Sequence, residues 1–197
     1  LATFPELDHF GERVNAEYLG TYQECPGVSP AWPQAAGCRI FAYLKPCKGL
    51  KETIEVLGAS VHSVIIFAPW ADVRTQSRFN FANVAFSRRP INMLRVSNEC
   101  DLAILNGTHG ATAEMLLAGK PILQLPIYLE QRLVAQRTAE IGAGVTANRV
   151  SPTDVAEKLE AITCASTFTA KARSFSATYA HHDGSRRFEA MSQVTSN

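Results

Sequence analysis

The residues best suited to chemistry lie in one stretch, Asn106-Gly107-Thr108-His109-Gly110-Ala111-Thr112-Ala113-Glu114, followed by Gly119-Lys120-Pro121 and then Pro126-Ile127-Tyr128-Leu129-Glu130-Gln131. A glycine-rich turn between a strand and a helix gathers backbone N–H groups at the positive end of a helix dipole. Such a point attracts an anion, most often a phosphate. Glu114, one turn into the expected helix, offers a carboxylate to the hydroxyls of a ribose. Glu130 and Gln131, expected at the end of the next strand, offer an acceptor and an amide to a second sugar. Phosphate, ribose and hexose together describe a nucleotide sugar. Taken alone, a Gly-x-x-Gly spacing is also that of an ordinary strand-to-helix connection.

The elements that must position these residues can be read from the pattern. Leu102-Ala103-Ile104-Leu105 before the turn and Ile122-Leu123-Gln124-Leu125 after it are short apolar runs, as in strands covered on both faces. Arg39 to Leu44, Ser63 to Ala68 and Ala82 to Phe86 add three more strand candidates. Helical segments are expected over 50–57, 91–98, from Ala111 to Ala118, and over 131–141. Ser151 followed by Pro152 is an N-cap and first-turn pair opening a helix to about Thr163. More polar helices are expected over 170–180 and 187–193. Strands alternating with helices imply an α/β fold with a doubly wound parallel sheet. In such sheets ligands bind outside the carboxyl ends of the strands, where Lys45, Asn106 and the 126–131 stretch all fall. Residues 1–37, rich in proline and glycine, read as an extended connector. Residues 38–165 read as the binding domain, and 166–197 as a C-terminal helical tail.

Composition narrows the classes. The chain has 197 residues, 46% of them hydrophobic, with a net charge of +1. That supports a proper core and argues against a nucleic-acid binder, which concentrates basic residues on one face; Arg88-Arg89 and Arg186-Arg187 are only local pairs. No apolar run approaches the roughly 20 residues of a membrane span. The five cysteines are scattered, without metal spacing; reduced thiols in a cytoplasmic protein are the plain reading.

The run from Asp101 to Val145 resembles the donor-binding half of the GT-B glycosyltransferases, closest to bacterial family 1 enzymes of the macrolide and rhamnosyl type. Their pattern is His-Gly-Gly-x-Gly-Thr-x-x-Glu-x-x-x-x-Gly-x-Pro, then Pro-x-x-x-Asp/Glu-Gln, then a helix ending in Gly-x-Gly. Glu114, Gly119, Pro121, Pro126, Glu130, Gln131, Gly142 and Gly144 fall at matching offsets without a gap. Leu7 to Gly20 and Ala31-Trp32-Pro33 also resemble the interdomain segment of these enzymes. The resemblance implies a Rossmann-like half of a GT-B fold, a UDP- or TDP-hexose donor, transfer of the hexosyl group to an acceptor hydroxyl, and no metal or other cofactor.

Carried over by position, Asn106 stands where the family has a phosphate-contacting histidine. Gly107 and Gly110 match glycines, Thr108 replaces one, and Ala111 replaces a threonine or serine. Thr108, His109 or Thr112 is then expected to make up the missing phosphate contact, with Lys45 as a further source of positive charge. Glu114 would hold the ribose, Glu130 and Gln131 the transferred sugar, and the loop at Ile91 and Asn92 the base. The family's general base lies in an N-terminal acceptor domain. The chain begins at Leu1 and reads as a fragment lacking that domain, or as a donor subunit that gains it from a partner chain. A non-catalytic sugar-nucleotide module or an epimerase is the alternative. Other combinations are weaker. His181-His182-Asp183 reads as a frayed helix end rather than a metal site, Asp8-His9 as a connector pair without a nucleophile, and Trp32 and Trp70 as packing residues.

Overall fold

The computed structural model describes residues 1–11, 13–21, 26–147 and 151–182. A six-stranded, all-parallel sheet forms its centre. The strands are β1 (Arg39–Tyr43), β2 (Ser63–Phe67), β3 (Val84–Ser87), β4 (Leu102–Leu105), β5 (Ile122–Gln124) and β6 (Gly144–Thr146). Between and after them run α1 (Leu50–Ala59), α2 (Val73–Arg78), α3 (Met93–Glu99), α4 (His109–Leu117), α5 (Leu129–Ile141), α6 (Pro152–Cys164) and α7 (Ser166–Thr178). The sheet order is β3-β2-β1-β4-β5-β6. The chain builds outward from β1, then returns to lay β4 on its other side. That reversal opens a crevice at the carboxyl ends of β1 and β4.

The apolar strand runs have a direct cause. Alternate residues of each strand enter two different cores, so both faces favour apolar side chains, and a buried polar one such as Gln124 must be hydrogen-bonded. Ile40, Ala42, Val64, Ile66, Leu102 and Ile104 pack with Ile54 and Leu57 of α1 and Val155, Leu159 and Ile162 of α6. Phe41, Ile65, Ala103 and Leu105 face the opposite way, onto Val96 of α3, Met115 and Leu116 of α4, and Phe175 of α7.

Local signals match where they carry a mechanism. The Ser151 hydroxyl accepts the Asp154 N–H, and Pro152 occupies the first turn of α6. Asn92 and Asp72 cap α3 and α2 in the same way. Two differences concern the site. α4 starts at His109 rather than Ala111, and α5 starts at Leu129, so Glu130 and Gln131 lie in a helical first turn instead of at a strand end. α2 was unexpected; it buries none of its residues and so shows no amphipathic signal. β6, only three residues long, has too little length to display a period.

The N-terminal segment lies over the second core but also enters it. Phe4 and Leu7 are fully buried, and the Phe4 ring packs on Phe175, Tyr179 and His182. α7 packs against α4 through Ala172 and Phe175, tying the expected tail to the body of the fold. The helix expected over 187–193 lies outside the described residues. Truncating Ile104, a fully buried residue of β4, leaves a void between the sheet and the layer of α1 and α6; Ile104→Ala should lower unfolding stability by about 2–5 kcal/mol in denaturant titration.

Candidate functional site

The turn at the end of β4 is held open by a buried amide. Asn106 is 1% exposed. Its Oδ1 accepts the Lys45 N–H at 2.6 Å, and its Nδ2 donates to the Leu125 carbonyl at 2.7 Å. The three strands β1, β4 and β5 are therefore pinned together just past their carboxyl ends. Both ends of the amide are engaged inside the protein, so Asn106 positions the turn rather than reaching out of it.

Gly107 follows with φ +74°, a left-handed conformation that disfavours a Cβ. A Cβ there would also sit 2.5 Å from the Gln131 carbonyl oxygen. The turn is thus packed directly on the first turn of α5, which brings Gln131 to the glycine loop. Thr108 is the N-cap of α4: its carbonyl accepts the Thr112 N–H, but its hydroxyl makes no capping bond. The N–H groups of His109, Gly110 and Ala111 have no acceptor among the described residues. These are the donors every helix start leaves unsatisfied. Two side-chain atoms beside them are also buried without a partner, Thr108 Oγ1 and Gln131 Nε2. Gln131 Oε1 accepts the Ile127 N–H at 2.8 Å, which fixes the amide with its donor end free.

The remaining expected residues divide. Thr112 is fully buried, and its hydroxyl accepts from Gln124 Nε2 in the core, away from the open turn. Ala111 is nearly buried and adds only its N–H. Glu130 is exposed in the first turn of α5. Lys45 is half-buried at the end of β1, its ammonium 6.0 Å from the Tyr43 ring centroid. Ile91 is buried and bridges to Val28. Val28 bonds Pro90 and Asn92, so the N–H and C=O of Ile91 point the other way and meet no partner among the described residues. Asn92 spends its side chain capping Arg95.

Glu114 is half-buried on α4 and makes no side-chain bond among the described residues. Burial pushes its carboxyl pKa up. His109 is also shifted. Burial and the neighbouring His9 hold it below the usual imidazole value, while Glu130 and Asp8 oppose them. Its Nε2 lies 2.7 Å from Thr3 Oγ1, a contact spanning 106 residues that no local pattern signals. Asp8 is structural: its carboxylate, 3% exposed, accepts from the Phe10 N–H and Tyr18 hydroxyl and pairs with Arg13. Trp70 and Trp32 donate to the Leu44 carbonyl and the Glu99 carboxylate, as packing residues would. Asp183 lies outside the described residues. Among those described, no three His, Cys, Asp or Glu side chains cluster as a metal would need, and no helix is long and apolar enough to cross a membrane.

The raised Glu114 pKa sets a sign. A carboxyl whose folded pKa exceeds its unfolded value supports the fold below the unfolded pKa and loses that support as pH rises through the folded one. At pH 7 the buried charge is a burden, so Glu114→Gln should raise the thermal midpoint of the unliganded protein. The gain should shrink toward pH 4, as scanning calorimetry across that range would register.

No family model matches the sequence, and no curated protein matches it. Solved structures do. The spinosyn rhamnosyltransferase SpnG, complexed with spinosyn aglycone, superposes with TM-score 0.71 at 17% identity, over 95% of this chain and 55% of that one. The calicheamicin glycosyltransferase CalG4 gives 0.69 at 18% identity, over 89% and 46%. The glycosyltransferase VinC in complex with dTDP gives 0.70 at 17%, over 87% and 46%. The chain spans about half the length of these enzymes. Its six parallel strands and flanking helices are the Rossmann-like fold that makes up one half of a GT-B glycosyltransferase.

Proposed function

We propose that this chain is the C-terminal, donor-binding half of a glycosyltransferase, and that it binds a UDP- or TDP-hexose at the carboxyl ends of β1 and β4. The observation that carries this reading is the start of α4. Three helical N–H groups and the buried Gln131 Nε2 lack partners there among the described residues, at the crevice of the sheet. Unsatisfied donors in a partly enclosed crevice favour a ligand rich in acceptor oxygens. The fold neighbours add support: VinC is solved with dTDP and SpnG with thymidine diphosphate.

In this reading the N–H groups of His109, Gly110 and Ala111 bind the diphosphate, and the hydroxyl of Thr108 has the same target. The free main-chain edge of Ile91 is matched to the hydrogen-bonding edge of a pyrimidine. Glu114 accepts from the ribose hydroxyls, and Glu130 and Gln131 serve the hexose. During transfer an acceptor oxygen forms its bond to the anomeric carbon as the bond to the diphosphate breaks. The electron pair leaves on phosphate oxygen, where prearranged N–H donors and the helix terminus stabilise it. The reading makes this a metal-independent reaction. The acceptor's proton goes to a general base supplied from outside this chain, by an acceptor domain or partner chain.

Two measurements test the proposal. Isothermal calorimetry with UDP, TDP and their glucose and rhamnose derivatives should give saturable binding. Glu114→Ala should weaken every nucleoside-containing ligand roughly tenfold or more, the scale of a hydrogen bond to a charged group; an unchanged affinity would remove the ribose assignment. The second measurement is a steady-state transfer assay on this polypeptide alone, where little or no turnover is expected. Robust turnover would contradict the division of labour between two halves.

A further inference from the structure

The family pattern places a histidine at position 106, and this chain spends Asn106 inside the sheet. A different imidazole stands at the same helix start. The His109 ring is fixed at one nitrogen, with Nε2 2.7 Å from Thr3 Oγ1. Of the two tautomers that contact allows, one has the Thr3 hydroxyl donating to the Phe4 carbonyl at 3.3 Å, its oxygen accepting, and the hydrogen on Nε2. In a neutral ring Nδ1 is then a bare acceptor, and it has no partner among the described residues. An acceptor lone pair is the wrong form to meet a diphosphate; a protonated Nδ1 is the right one.

The groups facing this ring come from two elements packed against it. Asp8 and His9 belong to the N-terminal segment, and Glu130 to the first turn of α5. Asp8 is already neutralised by Arg13 and two hydrogen bonds, and Glu130 is exposed, so the empty site offers the ring little stabilisation as a cation. A diphosphate on the adjoining N–H groups would bring negative charge against the same ring. The helix start is not the sole sign of a ligand here, since Gln131 Nε2 and Thr108 Oγ1 are buried beside it without partners.

We propose that His109 is neutral in the empty site, takes one proton from solvent as the diphosphate settles on the start of α4, and through Nδ1 supplies the cationic contact that Asn106 does not. This rests on the nucleotide-sugar reading. It assigns His109 the role of a proton-coupled binding residue, positioned by Thr3. The bond that forms is N–H at Nδ1 and the one that breaks is in the buffer acid or water that gives up the proton; the ring keeps it while the ligand is bound.

The probe is UDP-glucose or TDP-glucose, whichever binds. Both phosphates of such a ligand are esterified, so it lacks the terminal phosphate group that titrates near pH 6. Calorimetry at pH 7 in buffers of different ionisation enthalpy should show net proton uptake. Affinity should tighten several-fold between pH 8 and pH 6, within the limit of roughly tenfold that a ligand-induced pKa rise of about one unit sets. In His109→Gln the uptake should vanish and the pH profile should flatten, whereas His9→Gln should retain both. In the unmodified protein, the His109 ring followed by NMR should titrate at higher pH with ligand than without, a readout that needs no variant to fold. Binding without proton uptake, or uptake unchanged in His109→Gln, would overturn the His109 assignment and leave the site reading intact. Failure of every nucleotide sugar to bind would overturn both.

Discussion

One buried amide organises the carboxyl-end face of the sheet. Asn106 takes a hydrogen bond from the chain leaving β1 and gives one to the chain leaving β5, while its own backbone leaves β4. Burying an amide is unfavourable unless both its ends are bonded, and removing a partner exposes the full desolvation penalty. The three strand ends are therefore held in one arrangement. The glycine turn and the start of α4 inherit their position from it. Gly107 completes the arrangement by letting the turn lie directly on the backbone of Gln131, closer than any side chain would permit.

From that geometry the electrostatic character of the site follows. Position 106 holds a neutral amide already bonded within the fold, and the Lys45 ammonium stands 6.0 Å from the Tyr43 ring centroid. What remains are main-chain donors, whose dipoles are oriented by the helix and need no rearrangement when an anion arrives. The half-buried Glu114 carboxylate on the same helix has no bond among the described residues, so its burial works against stability; the proposed function gives it a ribose to hold.

The N-terminal segment links this site to the rest of the fold. Phe4 and Leu7 anchor it in the core shared by α4 and α7, the Asp8 carboxylate closes its own turn with Arg13 and Tyr18, and Thr3 reaches the His109 ring. A stretch that reads as a surface connector is, in the folded chain, part of the wall behind the helix start.

Much was legible in the residues themselves. Strand runs such as Ser63 to Phe67 stand out because a sheet covered on both faces demands apolar residues without alternation, and the Ser151-Pro152 start of α6 is a purely local signal. The glycine turn and the positions of Glu114, Glu130 and Gln131 also depend only on short spacings. α2 and β6 were not legible, one because it buries nothing, the other because three residues show no period. The local sequence thus determined the elements, the α/β class and which loop would gather unsatisfied donors. Only tertiary structure decided what each polar side chain does there. Asn106 and Thr112 were turned inward because strand ends and core atoms 12 to 61 residues distant needed their hydrogen bonds, and His109 was oriented by Thr3 from 106 residues away. Hydrogen-bond partners are assigned by proximity in space, and proximity across the chain exists only once the sheet has formed.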